Sequence, residues 1–119
     1  MKPQDQEFFV EKNEVGDCVR ACTASILELD IKDVPHFVKN EPGIAWYPTW
    51  EKFMENHGLK PIMYDGYPRF NGYSLASGVT HRDTKHMVVL WNGDIKHDPH
   101  YARTGLKETD TVWLLSSTS

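Results

Sequence analysis

The strongest constraint on the fold is a hairpin signal in the second half of the chain. The apolar run 86–91 ends at Asn92-Gly93, the dipeptide most favoured in two-residue hairpin turns, and residues 94–98 follow as the return strand. Helical periodicity is confined to the first half, so the order predicts an α+β fold with an antiparallel sheet packed on an N-terminal helix. Further strands are predicted at 59–64, 73–76 and 111–115.

Two helices are predicted before these strands. Apolar residues recur at helical spacing over residues 18–29, directly after Gly16-Asp17, and Asp17 is the expected N-cap. Between the two helices, Pro35 ends a turn or short helix that follows Asp30, because a proline disfavours helical geometry in the residue before it. The second helix covers residues 48–56 and ends at His57-Gly58.

A length of 119 residues predicts a single domain, 1–119, because a typical domain takes 100 to 200 residues. Residues 1–15 are expected to form a leading segment that docks through Phe8 and Phe9. Residues 116–119 are expected to form a loose polar tail.

Charge and hydropathy exclude several classes of partner. Thirteen basic and seventeen acidic residues give a net charge of −4 without a basic cluster, so neither nucleic acid nor an anionic membrane is an expected partner. No apolar run approaches the 18 residues of a membrane span, and the N-terminus does not resemble a signal peptide. These features predict a cytoplasmic protein whose cysteines, Cys18 and Cys22, remain thiols.

Three residues form a candidate catalytic set. Cys18 lies in the first turn of the first predicted helix, where unpaired backbone N–H groups and the helix dipole stabilise a thiolate. His86 begins the best-defined strand and is the candidate general base, and Asp98 ends the return strand and is the candidate acceptor that orients its imidazole. Cys22, flanked by alanines, is interpreted as a core residue.

Hairpin register decides whether His86 and Asp98 meet. A regular two-residue turn sets His86 opposite Pro99, which points Asp98 to the other face of the sheet. A three-residue loop with a bulge sets Asp98 opposite Val88, on the His86 face. The sequence leaves both registers open.

Three motifs carry a family resemblance: GDCVRACTASIL at 16–27, KHMVVL at 85–90 and HDP at 97–99. Together they resemble small papain-like cysteine peptidases, and most closely the bacteriocin-leader-processing peptidases and similar small uncharacterised bacterial and phage proteins. In that group a Gln precedes an Asp-Cys helix start, and a strand beginning with His leads through a hairpin to Asp-Pro. The resemblance covers about residues 6–106 and implies a papain-like fold.

The resemblance also implies roles for individual residues. Cys18 matches the nucleophile, His86 the base, Asp98 the residue that orients the imidazole, and Gln6 the side-chain donor of the oxyanion hole. Gln4 is the alternative donor, because the interval from Gln6 to the cysteine is longer than in the leader peptidases. Val19 departs from the Gly that follows the cysteine there. The implied activity is hydrolysis of a peptide, amide or isopeptide bond through a thioester, on a peptide or protein substrate. No cofactor is implied. Deamidase and transglutaminase activities use the same residues and remain alternatives.

Two alternatives concern the histidines. His97, Asp98 and His100, with His81 or His86, are ligand types for zinc or iron, although adjacent strand residues face opposite sides and cannot easily share a metal. We therefore predict no metal. His100 could also replace Asp98 as the third member of the catalytic set, as in Cys-His-His cell-wall peptidases of similar fold.

A last alternative is a different function class. The same fold could serve a bacterial or phage protein that binds or inhibits a host or carrier protein, with a vestigial cysteine site. Aromatic residues in turn-rich segments, Trp46, Tyr47 and Tyr67, are candidates to line a substrate groove or a binding face.

Overall fold

The hairpin lies at one side of a five-stranded antiparallel sheet in the computed structural model, which describes residues 1–118. The helices are α1 (Cys18–Leu27), α2 (Phe37–Asn40) and α3 (Trp46–Asn56), and the strands are β1 (Leu59–Asp65), β2 (Tyr73–Val79), β3 (Lys85–Trp91), β4 (Asp94–His97) and β5 (Glu108–Ser117). Short 3-10 helices cover Val10–Lys12 and Ile31–Asp33. The strand order β1-β5-β2-β3-β4 confirms the predicted α+β class with an antiparallel sheet.

The β3–β4 hairpin combines features of both predicted registers. Trp91 pairs with Asp94, so Asn92-Gly93 is the predicted two-residue turn, with positive φ at both residues. The register then shifts by one between Leu90 and Val89, which leaves Lys96 as the extra residue of a bulge. Continued along the strand, the shifted register sets Asp98 opposite Val88. The bulge in the strand, and not a longer turn, therefore brings Asp98 to the His86 face.

Helix bounds differ from prediction in two places. Helix α1 ends at Leu27, two residues early, because Glu28 adopts the left-handed conformation that closes the helix. Helix α3 begins at Trp46 instead of Pro48, because a proline within the first helical turn removes no intrahelical hydrogen bond. Between them, Val34 is extended before Pro35, as predicted.

Alternation along the strands divides the buried residues between the two faces of the sheet. On one face, Leu75, Met87, Val89 and Trp113 pack with residues of α1, α2 and α3. On the other face, a smaller cluster of Ala76, Val88, Leu90 and Val112 packs against Phe70 and Leu106 from the connecting loops. Helix α1 crosses β3 and helix α3 lies against β1, so the helices cover only part of the first face.

The leading segment docks as predicted, chiefly through Phe9, which is buried, and through the backbone. The Lys2 N–H donates to the Ser25 carbonyl on α1, and the Gln6 N–H donates to the Pro99 carbonyl after β4. The predicted loose tail is wrong for Ser116 and Ser117, which extend β5 opposite β1. Ser119 lies outside the described residues.

No helix within residues 1–118 combines the length and the apolar character that a membrane crossing requires.

Candidate active site

A buried thiol fixes the position of α1 over the sheet. The Cys22 Sγ donates to the Met87 carbonyl at 3.4 Å, and burial raises the pKa of this thiol well above its usual range. Cys22 is therefore the core residue that the sequence predicted. Because Cys18 lies one helical turn earlier, the same contact places Cys18 beside the beginning of β3, where His86 lies.

Asp17 occupies the N-cap position of α1 without capping it, contrary to prediction. Its fully buried carboxylate instead accepts hydrogen bonds from the backbone N–H groups of Glu7 and Phe8, and Arg20 lies 3.4 Å from it. The carboxylate thus holds the leading segment beside the helix. The first-turn N–H groups of α1 remain available to an anion at Cys18.

His86 and Asp98 meet in a buried hydrogen bond. The His86 Nε2 lies 2.6 Å from Asp98 Oδ1, and both side chains are 4% exposed. Since Nε2 is taken by Asp98, Nδ1 is the ring nitrogen left for the Cys18 thiol, whose proximity contributes to the raised pKa of His86. The structure therefore brings together three of the predicted residues in the order Cys18, His86, Asp98.

Asp98 itself is held by the loop that follows it. Its Oδ1 also accepts from the His100 N–H at 2.9 Å, and its Oδ2 accepts from the Gly105 N–H at 2.8 Å. Arg103 donates to the Asp98 carbonyl oxygen and pairs with Asp5. The carboxylate is therefore fixed on both oxygens before it meets the imidazole.

These contacts favour the charged forms of both partners. Burial opposes an imidazolium at His86, but hydrogen bonds to Asp98 and Cys18 outweigh it and raise the pKa of His86 to about 9. Burial likewise opposes the Asp98 carboxylate, and the bonds from His86, His100 and Gly105 lower its pKa to about 2. An imidazolium at His86 is the state that stabilises a neighbouring thiolate.

Of the two candidate glutamines, Gln6 is the one at the site. Gln6 lines the same groove as Cys18 and His86, and its Nε2 donates to the Phe8 carbonyl at 3.1 Å, which leaves the second N–H of the amide free to donate. The Gln6 Oε1 is buried without a partner. Gln4 instead accepts a long 3.4 Å bond from the Ile31 N–H through its Oε1, and it lines a second cavity of about 590 Å³ that contains neither Cys18 nor His86.

His100 does not occupy the third position of the set. Its Nδ1 accepts from the Ala102 N–H at 3.0 Å, and its Nε2 lies 2.7 Å from Glu11. The ring stands edge-on to His86, with centroids 6.2 Å apart. His100 is therefore a neighbour of the imidazole, whereas Asp98 is its hydrogen-bond partner.

The residues weighed as metal ligands belong to separate contacts. His97 meets the Gln4 carbonyl and Asp5, while His100 meets Glu11 and Asp98 meets His86. Within residues 1–118, no group of three or more His, Cys, Asp or Glu side chains has the arrangement of a metal site.

A groove of about 560 Å³ opens over Cys18 and His86. Trp46 and Tyr47, two of the three aromatic candidates, line it together with Trp113 and Met63, whereas Tyr67 lies elsewhere and donates to the Gly93 carbonyl. The lining also includes four charged side chains, Glu11, Arg82, Lys85 and Asp110. Substrate access to the thiol is therefore open along one face.

The sequence did not indicate the roles of three residues that organise the site. Asp17 and Arg20 fix the segment that carries Gln6, and their i, i+3 spacing on either side of Cys18 is the signal that could have indicated an ion pair. Glu11 holds His100 from 89 residues away along the chain, so sequence spacing contains no comparable signal.

Comparisons with known proteins add no family assignment. No protein-family model matches the chain, and neither a curated protein nor a solved structure matches it. The resemblance to papain-like peptidases therefore remains a prediction, and the geometry alone carries the functional inference.

Proposed function

We propose that the protein is a cysteine hydrolase of the papain-like type that cleaves a peptide, amide or isopeptide bond through a thioester on Cys18. The observation that carries the proposal is the buried 2.6 Å bond between His86 and Asp98, with Cys18 close enough to the imidazole to help raise its pKa and a groove lined by Cys18 and His86. A nucleophile, a base and an orienting acceptor in hydrogen-bond contact are the arrangement that acyl transfer requires.

In the first half-reaction, the Cys18 thiolate attacks the substrate carbonyl carbon and forms a tetrahedral oxyanion. The Cys18 backbone N–H and the free N–H of Gln6 Nε2 donate to this oxygen. The carbon–nitrogen bond then breaks as the Nδ1–H of His86 gives its proton to the departing amine, which leaves a thioester and a neutral imidazole. Asp98 keeps the ring oriented throughout.

In the second half-reaction, neutral His86 takes a proton from water through Nδ1 while the water oxygen attacks the thioester carbon. The tetrahedral intermediate expels the Cys18 thiolate, releases a carboxylic acid and restores the imidazolium. An amine in place of water would give acyl transfer, and a glutamine side chain as substrate would give deamidation; hydrolysis is the proposed outcome.

The proposed setting follows from the same thiol chemistry. Cys18 and Cys22 are both free, and Cys18 must stay reduced to act, so we infer a reducing compartment such as the cytoplasm. The proposed partner is a peptide or protein substrate, including a host or carrier protein, and no cofactor is part of the proposal.

The proposal is tested by alkylation with iodoacetamide from about pH 5.5 to 8.5, followed by peptide mass mapping. At the acid end of this range an ordinary thiol, with a pKa of about 8.5, is almost entirely protonated and unreactive. We expect Cys18 to react at about pH 6 at a rate within a few-fold of its rate at about pH 8. Cys22, which is fully buried, should stay unmodified in the folded protein.

Two variants complete this test. His86→Ala should abolish the low-pH reaction of Cys18, whereas His57→Ala should leave it unchanged, because His57 is exposed and contacts the carbonyl of Phe53 in its own helix. Reactivity at Cys18 that follows an ordinary thiol in the wild-type protein would instead favour a binding protein with a vestigial site.

A further inference from the structure

The groove over Cys18 has an apolar part with a defined composition, which we call the apolar arm: Trp46, Tyr47, Met63 and Trp113. Met63 and Trp113 are direct partners in the β1–β5 pairing, so their side chains share one face of the sheet. Tyr47 and Trp46 contact each other with ring centroids 5.5 Å apart. The four side chains therefore form one continuous surface between α3 and the sheet.

The indole N–H of the apolar arm has its hydrogen-bond partner within the arm. The indole N–H of Trp113 donates to the Tyr47 hydroxyl at 2.7 Å, and an indole has no other donor or acceptor. Burial raises the pKa of Tyr47, so its hydroxyl stays neutral. A polar or charged group that entered the arm would lose hydrogen bonds to water and find few replacements, which disfavours its binding.

Part of the apolar arm is open to solvent. Met63 is 50% exposed although it shares its sheet face with Trp113. Burial of such apolar area against a ligand is favourable, because it removes that area from water. The arm is continuous with the groove at Cys18, so a group bound there belongs to the molecule that reaches the thiol.

Another part of the groove is charged. Asp110 is the bulged residue of β5, since Ser77 pairs with Thr111 and Gly78 pairs with Thr109. It forms an ion pair with Lys85, the residue before His86. Asp110 and Trp113 are about 10 Å apart along β5, at 3.3 Å per residue, so one strand contributes to both parts of the groove.

Resting on the function proposed above, we propose that the substrate of Cys18 is a peptide with a bulky apolar side chain, of the leucine or phenylalanine class, at one of the two residues nearest the scissile carbonyl. That side chain binds in the apolar arm. Glycine leaves the arm filled with water, and an acidic side chain loses its hydration there. The arm therefore selects the substrate by side-chain size and polarity.

The test uses peptidyl chloromethyl ketones, which alkylate a cysteine after binding as the acyl part of a substrate. Two series, acetyl-X-Gly and acetyl-Gly-X chloromethyl ketones with X as Leu, Phe, Gly or Glu, cover the two positions nearest the carbonyl. We expect Cys18 to react at least tenfold faster with Leu or Phe than with Gly or Glu in one of the series, as measured by intact-mass spectrometry.

A matched pair of variants on β1 assigns the selectivity to the arm. Met63→Glu places a carboxylate at the arm and should reduce the preference for Leu or Phe at least tenfold. Tyr64→Glu, on the neighbouring and similarly exposed residue, faces the other side of the sheet and should leave the preference unchanged. Met63 is 50% exposed and Tyr64 is 41% exposed, so neither change buries a carboxylate, although Tyr64→Glu also removes a ring contact with Phe70.

The outcomes separate this proposal from the proposed function. If iodoacetamide reacts with Cys18 at low pH but all four side chains give equal rates in both series, the substrate class is wrong and the hydrolase proposal stands. Equal effects of Met63→Glu and Tyr64→Glu also overturn the substrate class. A Cys18 that reacts as an ordinary thiol overturns both proposals.

Discussion

The Asp98 carboxylate receives three hydrogen bonds, one from β3 and two from the loop that follows β4. His86 and the His100 N–H share Oδ1, and the Gly105 N–H takes Oδ2. Because backbone donors already hold the carboxylate, the imidazole meets an acceptor whose position does not depend on it. This preorganisation is what a base needs in order to keep one orientation through both proton transfers.

The first prediction concerns Asp98→Asn. The amide has one acceptor and one donor group, so its NH₂ must face either the Gly105 N–H or the pair of donors at Oδ1. We expect a loss of about 1 to 3 kcal/mol in the free energy of unfolding. Without the carboxylate the His86 imidazolium also loses its partner, so alkylation of Cys18 at about pH 6 should fall at least tenfold.

The control for this prediction is Asp94→Asn in the same hairpin. Asp94 is 79% exposed and pairs with Arg69 on the surface, where an ion pair contributes about 0 to 1 kcal/mol. Urea unfolding and mass-mapped alkylation check both variants. Equal behaviour of the two variants would show that Asp98 does not support the imidazole.

Residue types at the site were predictable, but their hydrogen-bond partners were not. Cys18 after Gly16-Asp17 indicates a helix start, and His86 at a strand start indicates a rigid base. The partners of Asp17 lie ten and nine residues earlier, in a segment without a regular pattern. The helix-cap prediction for Asp17 was wrong because its buried carboxylate accepts hydrogen bonds from two adjacent backbone N–H groups of the leading segment. Sequence spacing does not indicate such a contact with a loop.

At the scale of the elements, two bulges determine which side chains enter the site. The bulge at Lys96 in β4 brings Asp98 opposite Val88. The register shift between Ser77 and Gly78 leaves Asp110, which lines the groove, without a partner residue on β2. The sequence predicted the hairpin through Asn92-Gly93 but left its register open, because a bulge changes the alternation of side chains without altering strand composition. The pairing of the residues next to the turn was therefore predictable, and the pairing from Val89 toward His86 was not.

The second prediction concerns Gly78→Ala at the β2–β5 bulge. A Cβ atom there would lie 1.8 Å from the Glu108 carbonyl oxygen, so the two backbones must separate where Asp110 and Thr111 enter the groove. We expect a loss of at least 3 kcal/mol in the free energy of unfolding, at the upper end of the cost of overpacking. Urea unfolding measures the change.

Gly72→Ala is the matched control for Gly78→Ala. Gly72 has a φ of +74° and no heavy atom within 4 Å of an added Cβ, so an alanine there is opposed only by backbone conformation. That cost is about 1 to 2 kcal/mol. Equal losses at the two glycines would mean that the close approach of β2 and β5 does not constrain the sheet.

At the scale of the whole molecule, the site lies where distant parts of the chain converge. The leading segment contributes Gln6, α1 contributes Cys18, and the β3–β4 hairpin contributes His86 and Asp98. The Gln6 N–H bond to the Pro99 carbonyl joins the first and last of these directly. Since three separate segments must dock before the charges meet, the protonation of the site is linked to the stability of the whole fold.

The third prediction follows from this linkage. The pKa of His86 is raised from 6.5 to about 9, so its stabilising contribution is complete below about pH 6.5 and is lost as the pH rises through 9. The pKa of Asp98 is lowered from 3.8 to about 2, so its contribution is present above pH 3.8 and is lost as the pH falls toward 2. The pair therefore stabilises the fold most between these limits, from about pH 4 to 6.5.

Urea unfolding of the wild-type protein at about pH 6 and about pH 9.5 measures the basic side of this window. We expect the free energy of unfolding to fall by about 3 kcal/mol more in the wild-type protein than in His86→Gln, which has no titrating ring at the site. His57→Gln removes an exposed ring that contacts Phe53 in the helix before it. The free energy of unfolding of this variant should therefore depend on pH as it does in the wild-type protein. The contrary outcome is that His86→Gln loses as much stability between the two pH values as the wild-type protein does. That result would mean that His86 is not held as an imidazolium in the folded state. The ion pair on which the hydrolase proposal depends would then be absent.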